Sequence, residues 1–386
     1  MGLEQRERVD WADREPGDGV DWAAAYKELR AAVQRAGLLR PDPGAYVRIG
    51  AGCACLLLGT LALALVGPHT ASTAVVCLLG LAVGLVQVAL LGHDAGHRSV
   101  FARPALNRWL GWLCWSLVLG LGFAAWRRDH NAHHGRPNDP AADPAIQAGG
   151  LLALHEAAAR TRPGWSRYLG GAQAVAYVAA LPLLLLALRV QGWRYALGRP
   201  RGRGQAIEIA LLGLNAVAWL VLPLVLGGWW AVVLLGAQVL GGVYLGLVFA
   251  PHHKGMPVWA AQLPLSYLER QVLTARNVQG GWLCDVLFGG LNYQIEHHLF
   301  PTMPRSRLRQ ARRIVRPFCL GHGLAYEEVD ALTSYRRVLG ELARVGRLAQ
   351  RPQDRPPVAQ RPQERPPSAQ RPLDRPPSGA AEPLGL

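Results

Sequence analysis

The sequence predicts an all-α integral membrane protein, with four transmembrane helices in two hairpins and a cytoplasmic cap rich in histidine. Three observations predict it. Four charge-free apolar stretches each approach the ~20 residues that a helix rising ~1.5 Å per residue needs to cross ~30 Å of hydrocarbon. Histidines gather in short clusters, two of them directly after such stretches. Arginines crowd some connections and are missing from others, the asymmetry of a membrane protein that keeps its basic loops in the cytoplasm. Totals alone do not decide the class: 386 residues, 51% hydrophobic, with a mean hydropathy of +0.11, suit a large soluble chain as well as a modest membrane one.

Residues 1–45 form a cytoplasmic N-terminal region. It has no short apolar core followed by a small-residue cleavage site, so no signal peptide is expected. Within it "VDWAAAYKELRAAVQRAGLL" has helical apolar spacing and ends near Gly37, ahead of Pro41 and Pro43.

Residues 46–346 form the membrane domain, with spans at about 49–66, 71–91, 207–226 and 228–250. The links Gly67 to Thr70 and Gly227–Gly228 carry no Lys or Arg, whereas Arg189 to Arg203 and Arg305 to Arg316 are densely basic. With the uncharged links outside, the first two spans make one hairpin and the last two another. Two borderline stretches, Leu106 to Ala125 with its Asn107 and Arg108, and Ala172 to Leu188 broken by Pro182, are expected as interfacial or re-entrant helices. Were the second a crossing, a basic loop or a histidine cluster would fall on the wrong side.

Residues 347–386 change character. "AQRPQDRPPV", "AQRPQERPPS" and "AQRPLDRPPS" repeat every ten residues, and so much proline with so little apolar content predicts a disordered, extended tail.

The net charge of +15 and pI near 10.2 raise nucleic acid as a partner. The thirteen tryptophans argue against it, because they sit largely in and beside apolar segments as interface anchors do. No nucleic-acid partner is expected. Of the six cysteines, Cys53, Cys55, Cys77 and Cys114 lie inside apolar segments, without CxxC or paired spacing, so neither a disulfide frame nor a zinc site is expected.

Histidine carries the chemistry. "HDAGH" holds His93 and His97, "HNAHH" holds His130, His133 and His134, "PHHKG" holds His252 and His253, and "QIEHH" holds His297 and His298. With twelve histidines in 386 residues, a three-histidine pattern such as HxxHH is expected in roughly 0.01 windows by composition alone, so chance does not explain the boxes. Spacings of three and four put imidazoles on one helix face at neighbouring turns. His69, His155 and His322 have no such partner and are expected as ordinary polar or anchoring residues.

Rings packed this densely repel once protonated and are stable mainly when they share a metal. The ligand count exceeds one ion and implies two. Without a thiolate nearby, a two-metal site made of imidazoles suits iron best, with zinc the alternative. Asp94, Asp129 and Glu296 stand beside ligands in sequence, and since neighbours on a helix face different ways, each is expected to hydrogen-bond an imidazole of another box.

Together "HDAGH", "HNAHH" and "QIEHH", with "FAPHHKGMP", "TARNVQGG" and "GGLNYQIEHHLFPTMPR" around them, resemble the membrane-bound fatty acid desaturases. Within these the likeness is to bacterial acyl desaturases related to the front-end and linoleoyl-CoA type, and it runs from about Tyr46 to Gly346. The resemblance implies a mushroom-shaped protein in a bacterial cytoplasmic membrane, termini and metal site on the cytoplasmic side. It implies two iron ions, molecular oxygen as co-substrate, and insertion of a double bond into a fatty acyl chain, with membrane lipid as a partner.

By position it assigns His93, His97, His130, His133, His134, His253, His297 and His298 as metal ligands, with Gln294 as a weak ligand or supporting donor. His252 stands where similar chains carry asparagine, and is either an extra ligand or a substitute for that asparagine. No haem-binding segment, iron–sulfur cysteines or dinucleotide fingerprint is present, so an external electron donor such as ferredoxin with its reductase is implied. The arginines from Arg305 to Arg316 are either its dock or charge that orients the chain on anionic lipid. A hydroxylase or ketolase using the same boxes, and a non-catalytic metal-binding membrane receptor, are the alternatives.

Overall fold

The computed structural model describes residues 19–147, 152–161, 164–198, 202–259 and 265–350; the repeat tail beyond Gln350 lies outside the described residues. The chain is mainly helical. Helix α1 (Trp22–Arg35) begins where the Asp21 carboxylate accepts from the amides of Ala23 (3.0 Å) and Ala24 (2.9 Å), and it buries Ala25, Leu29 and Val33 along one stripe. Helix α2 (Pro43–Val66) starts at a proline whose preceding Asp42 accepts from the amide of Ala45 (3.1 Å). Helix α3 (Ala71–Gly96) returns antiparallel to it. A Cβ on Gly80 would sit 2.4 Å from Thr60 Oγ1 and one on Gly84 2.5 Å from Leu57 Cδ2, so glycine sets how closely the hairpin packs.

Helix α4 (Pro104–Gly111) runs into a π-helical stretch, Trp112–Leu119, and after Gly120 to Gly122 the chain turns by 116° into α5 (Phe123–Gly135). Gly120 has φ +71 and is faced by the side chain of Asn215, which donates to the carbonyls of Leu117 (2.8 Å) and Val118 (3.0 Å) and so satisfies the broken helix end. Short helices α6 (Pro144–Gln147) and α7 (Glu156–Arg160) follow, then α8 (Gln173–Ala180) and α9 (Leu184–Leu197), joined through a 3-10 turn at Leu181–Leu183. Helices α10 (Arg203–Leu226) and α11 (Gly228–His253) form the second long hairpin.

The cap is built from α12 (Tyr267–Leu273), β1 (Asn277–Gln279), α13 (Trp282–Leu287), α14 (Gln294–Leu299), α15 (Arg305–Gly321), β2 (Glu328–Asp330) and α16 (Ala331–Leu348). Strands β1 and β2 pair in parallel, Asn277 opposite Glu328.

Helices α3 and α11 lie against each other, and their apolar windows are 56% and 44% buried; those of α2 and α10 are 17% and 11% buried. The inner pair carries histidines at its ends, and the outer pair presents side chains such as Leu58, Val66, Leu224 and Val225 outward. Among the described residues, five helices are long and apolar enough to cross a membrane: α2, α3, α10, α11 and the continuous stretch Tyr168–Leu197. The sequence reading counts four and lays the fifth in the interface. Pro182 does not interrupt that stretch, because a 3-10 turn absorbs it just ahead of α9. The bent pair of α4 with its π-helical extension and α5 starts after His97 and comes back to His130, whose Nε2 lies 2.9 Å from that of His97. Both ends of this excursion therefore lie at the histidine layer.

Candidate metal centre

Four helices deliver the imidazoles. The last turn of α3 presents His93 and its C-cap His97; α5 presents His130, His133 and His134; α11 ends on His252 and His253; α14, one and a half turns long, carries His297 and His298. Ring nitrogens of His93, His97, His130 and His297 lie within 4.8 Å of one another, and so do those of His133, His253 and His298. His134 adjoins both sets, with its Nε2 3.1 Å from that of His130 and its ring stacked on His298 at 4.1 Å.

The packing itself tests whether a metal fits. His130 Nε2 has three other Nε2 atoms around it, those of His93 (3.1 Å), His97 (2.9 Å) and His134 (3.1 Å), yet one ring nitrogen carries at most one proton. The buried Nε2 atoms of His297 and His298 and the Oε1 of Gln294 have no partner among the described residues. Converging lone pairs without protons to share are what a cation resolves. The donors therefore fit two metal ions.

Away from this space several rings are held by acceptors. His133 Nδ1 lies 2.8 Å from Asp143 Oδ2, His253 Nδ1 2.9 Å from the Thr274 carbonyl, and His298 Nδ1 2.9 Å from Gln271 Oε1. Gln271 also donates to the His134 carbonyl at 3.0 Å. Such acceptors fix the tautomer that leaves Nε2 free for metal. Burial, and then neighbouring imidazoles, hold His297 and His298 far below the ordinary histidine range, so both rings are neutral. Burial raises the Asp143 carboxyl, but hydrogen bonds from His133 and from the amides of Ala145 and Asn138 outweigh it and the pKa is lowered.

The expected reach of the carboxylates is corrected in all three places. Asp94 bonds its own neighbour, His93 Nδ1 at 3.1 Å, rather than a ring of another box; Nδ1 is the ring nitrogen nearer the backbone and lies within range of the adjacent short side chain. Its other oxygen takes Arg305 Nε at 2.5 Å and Tyr46 OH at 2.8 Å. Asp129 pairs with Arg128 and Gln191 and, among the described residues, with no imidazole. Glu296 accepts from Tyr326 (2.6 Å) and Asn277 (2.8 Å), with burial pushing its carboxyl up to about 7.

His252 is turned out of both groups. It is fully buried, with Nδ1 3.4 Å from the Arg276 carbonyl and its ring 5.6 Å from Phe288, because successive residues on α11 point about 100° apart. Gln294 stands at the second group, its Nε2 3.0 Å from His253 Nε2. Arg276 fixes the end of α11 from below: its buried guanidinium donates to the carbonyls of Pro251 (2.6 Å) and Lys254 (3.0 Å) and to Ser334 Oγ (3.0 Å). The three separate histidines lie elsewhere: His69 stacks on Trp229, His155 caps α7, and His322 bonds the Phe318 carbonyl.

Tryptophan walls the first group. Trp126 stacks on His130 at 4.6 Å and fits only because residue 96 is glycine, where a Cβ would meet its ring at 2.4 Å. Much of the arginine charge on α15 is spent internally. Arg305 is buried on Asp94, Arg309 lies 3.4 Å from Asp285, and Arg312 and Arg316 flank Glu328 at 2.5 and 3.6 Å.

The model of the family described as fatty acid desaturase matches residues 69–330, which contain every box. The chain belongs to the fatty acid desaturase family. Similar members of the family include an acyl-lipid (9-3)-desaturase of Physcomitrium patens, 28% identical over 339 residues, covering 84% of this chain and 63% of that protein. An acyl-lipid 8-desaturase of Rebecca salina is 34% identical over 270 residues, covering 66% of this chain and 59% of that one. An acyl-lipid (8-3)-desaturase, also of Rebecca salina, is 30% identical over 342 residues, 86% and 77% of the two chains. The chain thus spans less than two thirds of the first two relatives.

Asp143, Gln271 and the Thr274 carbonyl, each hydrogen-bonded to a clustered imidazole, are positions that the sequence reading misses. Asp143 lies ten residues past His133 in "GRPNDPAADP", a proline-rich turn at which a carboxylate near a box is the one available signal. Gln271 and Thr274 carry no signal of their own.

Proposed function

We propose that the chain desaturates a fatty acyl substrate with molecular oxygen at a di-iron centre, drawing electrons from an external carrier such as ferredoxin. The convergence of seven ring nitrogens into two groups carries this reading, and family membership and the names of the relatives support it. One iron would be held by His93, His97, His130 and His297, and the other by His133, His253 and His298, with His134 between them and Gln294 beside the second. The reaction balances as two hydrogens leaving adjacent methylenes while one oxygen molecule, two electrons and two protons yield two waters. Iron, when bound, supplies the oxidising power that no side-chain acid or base has.

The protein's own work is to prepare the donors. Asp143, Gln271 and the Thr274 carbonyl hold three rings in the tautomer that offers Nε2, burial keeps His297 and His298 neutral, and the Trp126 and Trp115 rings, 4.4 Å apart, close the first group to water. Four crossings by α2, α3, α10 and α11, with Tyr168–Leu197 lying in the interface, bring both hairpins' histidine ends to one side. Arginine-rich connections on that side support a cytoplasmic orientation in a bacterial inner membrane. On α15, the exposed Arg313 and the outer edge at Arg316 are what is left to meet an acidic carrier.

The test is expression in a host of known lipid profile with a competent redox partner, followed by mass spectrometry of fatty acids and iron analysis of the purified chain. A new unsaturated species and about two irons per chain are expected, both reduced in His133→Ala and His297→Ala. An unchanged profile, or full activity in these variants, overturns the reading.

A further inference from the structure

A cavity of about 470 Å³ is lined by α4, the π-helical stretch, the start of α5 and the first two turns of α10. Three arginines line it: Arg108, Arg127 and Arg203. None of their side chains has a hydrogen-bonded or ion-paired partner among the described residues. Arg108 lies over the Trp112 ring (5.7 Å) and Arg127 over Phe123 (5.4 Å), contacts that hold planar guanidinium forks in place without using their donors. The 24-residue α10 begins here with no side-chain cap, adding first-turn amides and the positive end of its dipole.

Among the described residues, one acid lines the same space. The buried Glu208 carboxylate faces the start of α5, where it accepts from the Ala124 amide at 2.8 Å, and lies 3.4 Å from Ser116 Oγ. Three cations thus face one carboxylate already engaged in closing a helix. Next to the cavity Leu106, Trp109 and Leu113 are 45%, 52% and 49% exposed at helical spacing, an apolar stripe of the kind that lies against lipid.

We infer that this cavity is a phosphate-binding site for the anionic headgroup of a membrane phospholipid. Guanidinium forks suit phosphate oxygens bidentately, and the apolar stripe beside them suits the acyl chains of the same molecule better than it suits a free anion. The inference stands apart from the desaturation reading, since it concerns binding alone.

Its test uses the full chain in a neutral detergent, titrated with dihexanoyl phosphatidylglycerol and followed by native mass spectrometry and thermal shift. Inorganic phosphate and coenzyme A serve as soluble phosphate probes. Saturable binding of the lipid is expected, weakened by salt, and about tenfold or more weaker in Arg108→Gln/Arg127→Gln/Arg203→Gln, the loss of charge-assisted hydrogen bonds. Arg336→Gln, which removes one exposed charge from α16, is expected to bind as the parent does. Circular dichroism and size exclusion report whether the triple variant folds; if it does not, the single Arg203→Gln change at the exposed start of α10 decides, with a severalfold loss expected. Equal affinity in parent and Arg203→Gln, or equal losses in Arg336→Gln, overturns the site. Binding of coenzyme A or phosphate without the lipid overturns the phospholipid assignment.

Discussion

The two imidazole groups are held in different ways. Around His133, His253 and His298 every ring has its outer nitrogen on a protein acceptor: a carboxylate, a backbone carbonyl and an amide oxygen. Around His93, His97, His130 and His297 only His93 has such a partner among the described residues, and that partner, Asp94, is tied to Arg305 of α15 and Tyr46 of α2. The remaining rings are set by packing, His130 under Trp126 and His97 edge-on to His93 and His134. One group is oriented by hydrogen bonds; the other depends on how three helices and the cap meet.

The largest effect that tests this contrast is loss of a ring. His298→Ala and His97→Ala are each expected to reduce product to background while removing about one of the two irons, read by metal analysis. If either change emptied both groups, the division into two would be wrong. Next come the carboxylates. Asp143→Asn is expected to weaken metal binding about 10–100-fold with little change in unfolding. Asp94→Asn leaves the buried Arg305 without its counter-charge, so it is expected to cost ~3 kcal/mol or more of stability. Metal titration and unfolding in detergent, run on both, separate them; identical profiles would erase the contrast.

A smaller effect is expected of Gln271→Leu, about tenfold in affinity at the second group alone. The smallest concerns Asp42, which Ser306 and the Ala45 amide hold below the ordinary aspartate value of 3.8, tying α15 to α2. Its stabilisation is present above that value and is lost as pH falls through the lowered folded pKa. Asp42→Ala is therefore expected to cost about 1 kcal/mol near neutral pH, with the gap to the parent closing in acid.

The hairpins, the lead-in helix and the histidine boxes were legible because they are repeated signals: apolar length, helical spacing, and rare residues close together. The companions of the rings were not. Asp143, Gln271 and Thr274 are single polar residues of common type, and only the folded cap brings them to a ring. His252 and His253 are identical in sequence, and the 100° turn between them decides which faces the centre. Carboxylates beside ligands were read from helical divergence alone; the reach of Nδ1 toward its own neighbour, and the pull of Arg305, reversed the expectation for Asp94. Pro182 drew attention as a breaker, while its place ahead of a helix start made it harmless.

Gly122 and Gly192 face each other across α5 and α9 so closely that a methyl group on either would lie within 2.5 Å of the opposite backbone. The helix bearing His130, His133 and His134 thus has its starting point gauged against its neighbour by bare main chain. An alanine at either position would act as a shim, tilting three imidazoles at once from a point that touches none of them.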